Sequence, residues 1–216
     1  MSQVGFVIGE IAYFIMGVVS LITLISHWKM NSNRMLIAVS VYVCAVLLRS
    51  LIDVAIYAFD LNIDVILAGG LTIGMVIGFI LFTIQLEFLL YLKDLPKLYT
   101  LPLFISFYLA LGRVLVDSAM PFIIYAMTVS YGSAYFLIRD GKRKRNGLAI
   151  GMGLFFLIYG LGSTFQVEFL FVTLRVIAMA ALLLGTRGFY EKYVFVNAEE
   201  EQKIMGTWIA KLVVKE

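Results

Sequence analysis

An all-α bundle of seven helices embedded in a bilayer is the fold class this sequence predicts. Three observations carry it: an apolar composition, seven apolar stretches of membrane-spanning length, and lysines and arginines confined to one side. The 216 residues are 62% hydrophobic and only 14% charged, with a mean hydropathy of +0.98. Soluble domains carry about 45–50% apolar and roughly 25% charged residues. A water-soluble core of this size could not bury so much apolar surface, so lipid is the fitting solvent. The first stretch is expected to remain as a span. Residues 1–4 lack a basic residue, and the apolar run to Ser26 exceeds the roughly 7–15 residues of a signal core.

A helix needs about 20 apolar residues to cross a bilayer. The predicted spans are 4–26, 35–58, 65–92, 100–117, 121–138, 147–164 and 166–187. The third is long enough to tilt, whereas the fourth to sixth are short. Only residues 118–120 separate spans four and five. Pro121 supports a helix start there, because proline in the first turn forfeits no helical hydrogen bond. Together these spans make residues 1–190 one transmembrane domain.

Orientation follows from Lys and Arg, which number 17. Lys29 and Arg34 follow span one, and Lys93 and Lys97 follow span three. Arg139, Lys142, Arg143, Lys144 and Arg145 follow span five, and Arg187, Lys192, Lys203, Lys211 and Lys215 lie at the C-terminal end. The remaining three, Arg49, Arg113 and Arg175, fall inside spans, so the opposite loops hold none. Basic loops stay in the cytoplasm. The N-terminus is therefore expected outside, the C-terminus in the cytoplasm, and the chain in the cell membrane as a multi-pass protein.

Residues 191–216 read as a cytoplasmic amphipathic tail. Asn197 can cap a helix whose positive N-terminal end favours Glu199, Glu200 and Glu201. Ile204, Met205, Trp208, Ile209, Leu212 and Val213 then recur at helical spacing, as in a short helix lying in the inner membrane interface. A β-strand through 208–215 is the alternative, since that stretch is partly β-branched.

Charges inside a span cost about 2.5–3.5 kcal/mol each at the helix centre on insertion scales, so each requires a reason. Span two holds Arg49 and Asp53 and span four holds Arg113 and Asp117, each pair four residues apart on one helix face. The two segments also share a leucine and an alanine at an offset of 64 residues, the mark of a degenerate parallel repeat. At 1.5 Å per residue, Arg49 and Arg113 lie roughly 20 Å from the inner ends of their helices. Arg175 of span seven falls in the same outer half, and Glu10 and Glu168 enter that zone. Two readings follow for these seven residues. They are interhelical ion pairs that fix how helices dock, or they line a pocket where arginines face a small polar or anionic ligand. On the second reading Arg175, with no acid one turn away, is expected to affect ligand response more than folding.

Other chemistries are excluded. Cys44, the single cysteine, allows neither a disulfide nor a cysteine metal cluster and is expected to be a small buried hydrophobe. His27, the single histidine, argues against paired-histidine haem or a zinc cluster. No cofactor and no enzymatic activity are expected. No lysine lies within a span to hold retinal, and an arginine near each aspartate disfavours a shared-proton aspartyl dyad. The basic residues form no solvated nucleic-acid patch. Gly70, Gly74 and Gly78, and Gly147 with Gly151, predict close helix approach. Glu87 is expected to snorkel near Lys93, or to act as a gate. The run Arg139, Lys142, Arg143, Lys144 and Arg145 is expected to touch anionic membrane lipid, with a cytoplasmic protein partner as the alternative.

The combined expectation is a receptor-like or sensory membrane module. It would bind a small polar or anionic ligand from the outer side and signal in trans. A small transporter or channel and a structural accessory subunit are the alternatives.

Overall fold

The computed structural model describes residues 3–31, 34–59, 66–68, 71–93, 95–98, 100–116, 118, 120–164 and 168–194. In chain order these form α1 (Gln3–Asn31), α2 (Arg34–Phe59), the antiparallel pair β1 (Ile66–Ala68) and β2 (Leu71–Thr72), and α3 (Ile73–Leu92). A 3₁₀ turn (Pro96–Leu98) leads to α4 (Leu101–Val116), followed by α5 (Met120–Lys144), α6 (Gly147–Thr164), α7 (Glu168–Thr186) and a π turn (Tyr190–Val194). Within α1, α2, α3, α5 and α7 lie five segments long and apolar enough to cross a membrane; α4 and α6 are apolar but shorter. The chain is a helical, multi-pass membrane protein.

Its polarity is inverted relative to a water-soluble fold. On α1, Ile8, Ile11, Ile15 and Ile22 point outward at helical spacing, while Phe6, Glu10, Tyr13, Ser20 and Leu24 are buried. The apolar outer stripe suits hydrocarbon, and the polar groups retreat inward. Glu10, Ser50, Gln85, Ser133 and Arg175 are all buried.

Six helices close a ring in the order α1, α2, α3, α5, α6, α7, with α7 returning to α1. Helix α4 sits outside this ring, packed on α3 and more lightly on α5. Its buried residues are Pro102 and Ser106, and it turns Phe104, Phe107, Tyr108 and Leu115 outward. Small residues let α6 dock on both sides. A Cβ on Gly151 would lie 2.9 Å from Gly185 Cα of α7, and one on Gly153 would lie 3.0 Å from Ile138 N of α5.

The structure corrects several expectations. The span predicted over 65–92 begins instead with the β1–β2 hairpin, and α3 starts only at Ile73. Paired Ala68 and Leu71 are separated by Gly69-Gly70, a dipeptide that favours a two-residue hairpin turn and weakens a helix. The fifth span, expected to end at residue 138, continues as helix through Lys144. Lysine and arginine are good helix formers, and their charges suit the negative C-terminal end of a helix. Cys44 is exposed rather than buried, on the same outward face of α2 as Val41, Leu48 and Leu51. The expected tail helix from Asn197 lies outside the described residues.

The end bearing the basic residues is tied together by polar contacts. Lys93 Nζ lies 2.6 Å from Asp140 Oδ2, joining the end of α3 to α5. Asn146 Oδ1 accepts the Ala149 N–H at 3.0 Å as an N-cap of α6. Glu191 Oε1 accepts the Gly147 N–H at 2.5 Å, placing a carboxylate at the positive end of the same helix. Gly147 serves both this side chain and the helix crossing: a Cβ there would collide with the Glu191 carboxylate, and its carbonyl oxygen lies 2.9 Å from where a Cβ on Gly185 of α7 would be. Glu191→Ala should raise amide exchange at Gly147 and Ala149 and cost about 0.5–2 kcal/mol, the range for a lost cap. Unchanged exchange at both amides would show that the contact does not hold the turn.

Candidate functional site

At the opposite end, α1, α2 and α7 meet around one guanidinium. Arg175 is completely buried. Its Nη1 lies 2.8 Å from Asp53 Oδ2 on α2 and 3.0 Å from Glu10 Oε1 on α1. Asp53 uses its other oxygen for Arg49, with Nη2 to Oδ1 at 3.0 Å. The Ser50 hydroxyl donates to Glu10 Oε2. Two acids and two bases thus balance, each acid held by two partners. Such satisfaction is what a buried charge requires in a low-dielectric interior.

Helical spacing explains why these groups meet. Arg49 and Asp53 are one turn apart, and Ser50 projects beside them toward α1. Tyr13 follows Glu10 by three residues, and Phe171 precedes Arg175 by four, so each helix brings a ring as well as a charge. The Arg175 guanidinium carbon lies 4.8 Å from the Tyr13 ring centre, 5.1 Å from that of Phe171 and 5.8 Å from that of Tyr159 on α6. Its Nε and Nη2 find no hydrogen-bond partner among the described residues. The π faces of the three rings supply attraction there instead.

The three arginines do not converge. Arg175 is sealed by its carboxylates. Arg49 is the open member, with 32% of its side chain accessible. Arg113 lies on α4, across α3 from α2 and outside the six-helix ring. The two halves of the sequence repeat therefore occupy different environments. Asp117 and the side chain of Glu168 lie outside what the structure describes. Arg175 is buried and paired to both carboxylates, whereas Arg49 is the member that faces open space.

That space is a cavity of about 380 Å³ enclosed by α2, α3, α5 and α6, within the size range of small-molecule sites. Arg49 forms its charged wall, and Tyr131, Tyr159 and Ser130 supply hydroxyls. Leu81, Phe122 and other apolar side chains make up most of the remaining surface. Gly74 is what lets Arg49 reach α3, because a Cβ there would collide with Arg49 Nη1. Gly78 lets the Phe122 ring approach, its Cζ 3.1 Å from where a Cβ would be. Both glycines were legible as packing signals, but their service to a cavity was not.

Toward the basic end the interior closes. Tyr42 stacks edge-on against Phe155 and Phe156, with ring centres 6.0 and 5.2 Å away. The gap between Val39, Tyr42, Gln85, Phe88, Met152 and Phe156 has no room for a water molecule. Gln85 donates to Ser133 and bridges α3 to α5 nearby.

Ser50, Tyr13, Phe171 and Tyr159 extend the predicted set. The first three carried a signal, being adjacent to or one turn from a charged residue. Tyr159 carried none, since its neighbourhood is made by the packing of α6 against α7. Among the described residues no group of three or more His, Cys, Asp or Glu is placed to hold a metal ion. Comparison of the chain with known protein-family models, with curated proteins and with solved structures finds no match.

Proposed function

We propose that this chain is a non-enzymatic, receptor-like or sensory module of the cell membrane. It crosses seven times with its N-terminus outside, binds a small polar or anionic ligand in the outer half, and signals in trans through its basic cytoplasmic face. The observation that carries this reading is the Arg49-walled cavity between α2, α3, α5 and α6, with packed aromatic rings closing the interior toward the basic end. A continuous pathway would favour a transporter or channel, and the closed interior of the six-helix ring around Tyr42 weighs against one through the ring. Seven crossings require α4 and α6 to span, although their 16 and 18 residues reach only about 24 and 27 Å against a core of about 30 Å. Local bilayer thinning accommodates such mismatch at modest cost. The orientation rests on the basic residues, which the outer loops lack.

The accessory-subunit reading draws on a different observation. Arg175 is fully buried with its charge paired to Asp53 and Glu10, as a purely structural charge would be. It predicts that no small ligand stabilises the protein in an Arg49-dependent way.

Two measurements test the proposal. Tags at the N-terminus and within residues 140–146 should be accessible from opposite sides of intact cells; access to both from one side overturns the topology. Purified protein screened against small carboxylates and phosphates should gain thermal stability from at least one class. Arg49→Gln should remove that gain. Equal stabilisation of the variant would remove the cavity as the site.

A further inference from the structure

The geometry points to a single-chain anionic amphiphile as the occupant of this cavity, its carboxylate on Arg49 and its apolar tail between α3 and α5. This rests on the proposed ligand-binding function and narrows it to one chemical class.

The head-group assignment follows from how the charges are shared. Asp53 spends one oxygen on Arg49 and the other on Arg175, and Glu10 is buried behind them against Ser50 and Arg175. Among the described residues no carboxylate lines the cavity; its charged wall is the Arg49 guanidinium. Arg49 meets Asp53 through Nη2, while Nη1 lies against Gly74, itself a lining residue. Guanidinium donors of this kind bind carboxylates with charge-assisted hydrogen bonds. A cationic head group would face repulsion from the guanidinium, and a neutral one would offer Nη1 a weaker acceptor than a carboxylate.

The tail assignment follows from the rest of the wall. From Gly74 to Phe82 the lining of α3 spans nine residues, a rise of about 12 Å. The lining of α5 runs alongside from Phe122 to Tyr131. Carbon–carbon bonds of about 1.52 Å at angles near 111° advance about 1.25 Å per atom, so about eight to ten carbons fit that length. The walls along it are chiefly Ile77, Leu81, Phe122 and Met127. A small polar anion would cover Arg49 and leave this apolar length unfilled.

The test uses the full chain, purified in a nonionic maltoside detergent and titrated with decanoate, decanol, decyltrimethylammonium and acetate below their micellar concentrations. Decanoate should raise the unfolding midpoint saturably, and the other three should do so far less. Arg49→Gln should weaken decanoate binding by about tenfold or more, the loss expected for one charged hydrogen bond. Ala126→Leu fills the cavity from α5 without touching the ion pairs, so it should abolish binding while the ligand-free midpoint stays near that of the parent. It decides the matter if Arg49→Gln does not fold. Extraction of protein taken directly from membranes distinguishes the sources: a co-purifying single-chain carboxylate marks the bilayer, and its absence with saturable decanoate binding marks the aqueous side. Decanol matching decanoate would overturn the inference, because anion recognition would be absent. Acetate matching decanoate with full dependence on Arg49 would overturn the amphiphile and leave the proposed function standing. No saturable binding of any of the four also overturns the inference; the proposed function falls only if the wider carboxylate and phosphate screen fails too.

Discussion

Arg175→Met should destabilise the protein by about 3–5 kcal/mol, the cost of removing one partner from a buried ion-pair network. The reason lies in what remains. Glu10 and Asp53 would stay in the interior with Arg49 as their one cation within the cluster, and Arg49 reaches only Asp53. Glu10 would keep a hydroxyl from Ser50 and no counter-charge. The double variant Arg175→Met with Glu10→Gln restores neutrality, because Asp53 and Arg49 still pair on α2. It should recover much of the lost stability. Reversible denaturant unfolding in detergent micelles measures both. If the double variant is as unstable as the sum of the two single variants, the charges are not coupled and the network does not work as described. Arg49→Gln leaves Arg175 with two acids and should cost less, so the two arginines separate: one holds the fold, and the other faces the cavity.

Gly151→Leu should be the most damaging single change away from the charges. Its Cβ would sit 2.9 Å from Gly185 Cα and 3.0 Å from the Ala181 carbonyl oxygen, both backbone atoms that cannot rotate aside. The α6–α7 contact is the most extensive helix pairing in the bundle, so the two helices would have to part along much of their length. Overpacking a core costs about 1–3 kcal/mol when side chains can adjust; here the loss should reach or exceed the top of that range. Gly112→Ala on α4 is the control, since no atom lies within 4 Å of its Cβ position. It should leave stability unchanged or slightly improved, as a helical glycine gains from replacement. Equal losses in the two variants would mean that helix propensity, and not the α6–α7 approach, governs both sites.

By itself the sequence determined the solvent, the helical class and the asymmetry of the two ends. Each is a sum over many residues: apolar content sets the solvent, run length sets the helices, and the placement of lysine and arginine separates the ends. It also determined that Arg49 and Asp53 would pair, because one helical turn fixes their distance wherever the helix packs. A local signal is present at Gly69-Gly70, a poor helix dipeptide that falls between the paired strands β1 and β2 ahead of α3. Lys142 to Lys144 were similarly able to carry α5 beyond its apolar run. Tertiary structure alone decided which helices enclose the charges. Residues 49–53 and 113–117 read almost alike, yet α2 joins the ring and α4 packs outside it. That choice depends on the fit of entire helix faces, including Gly151 against Gly185 and Gly153 against Ile138, and no short motif encodes it. The partners of the arginines were decided in the same way. Arg175 has no acid on its own helix, so its partners come from α1 and α2, at separations in sequence that only packing can close.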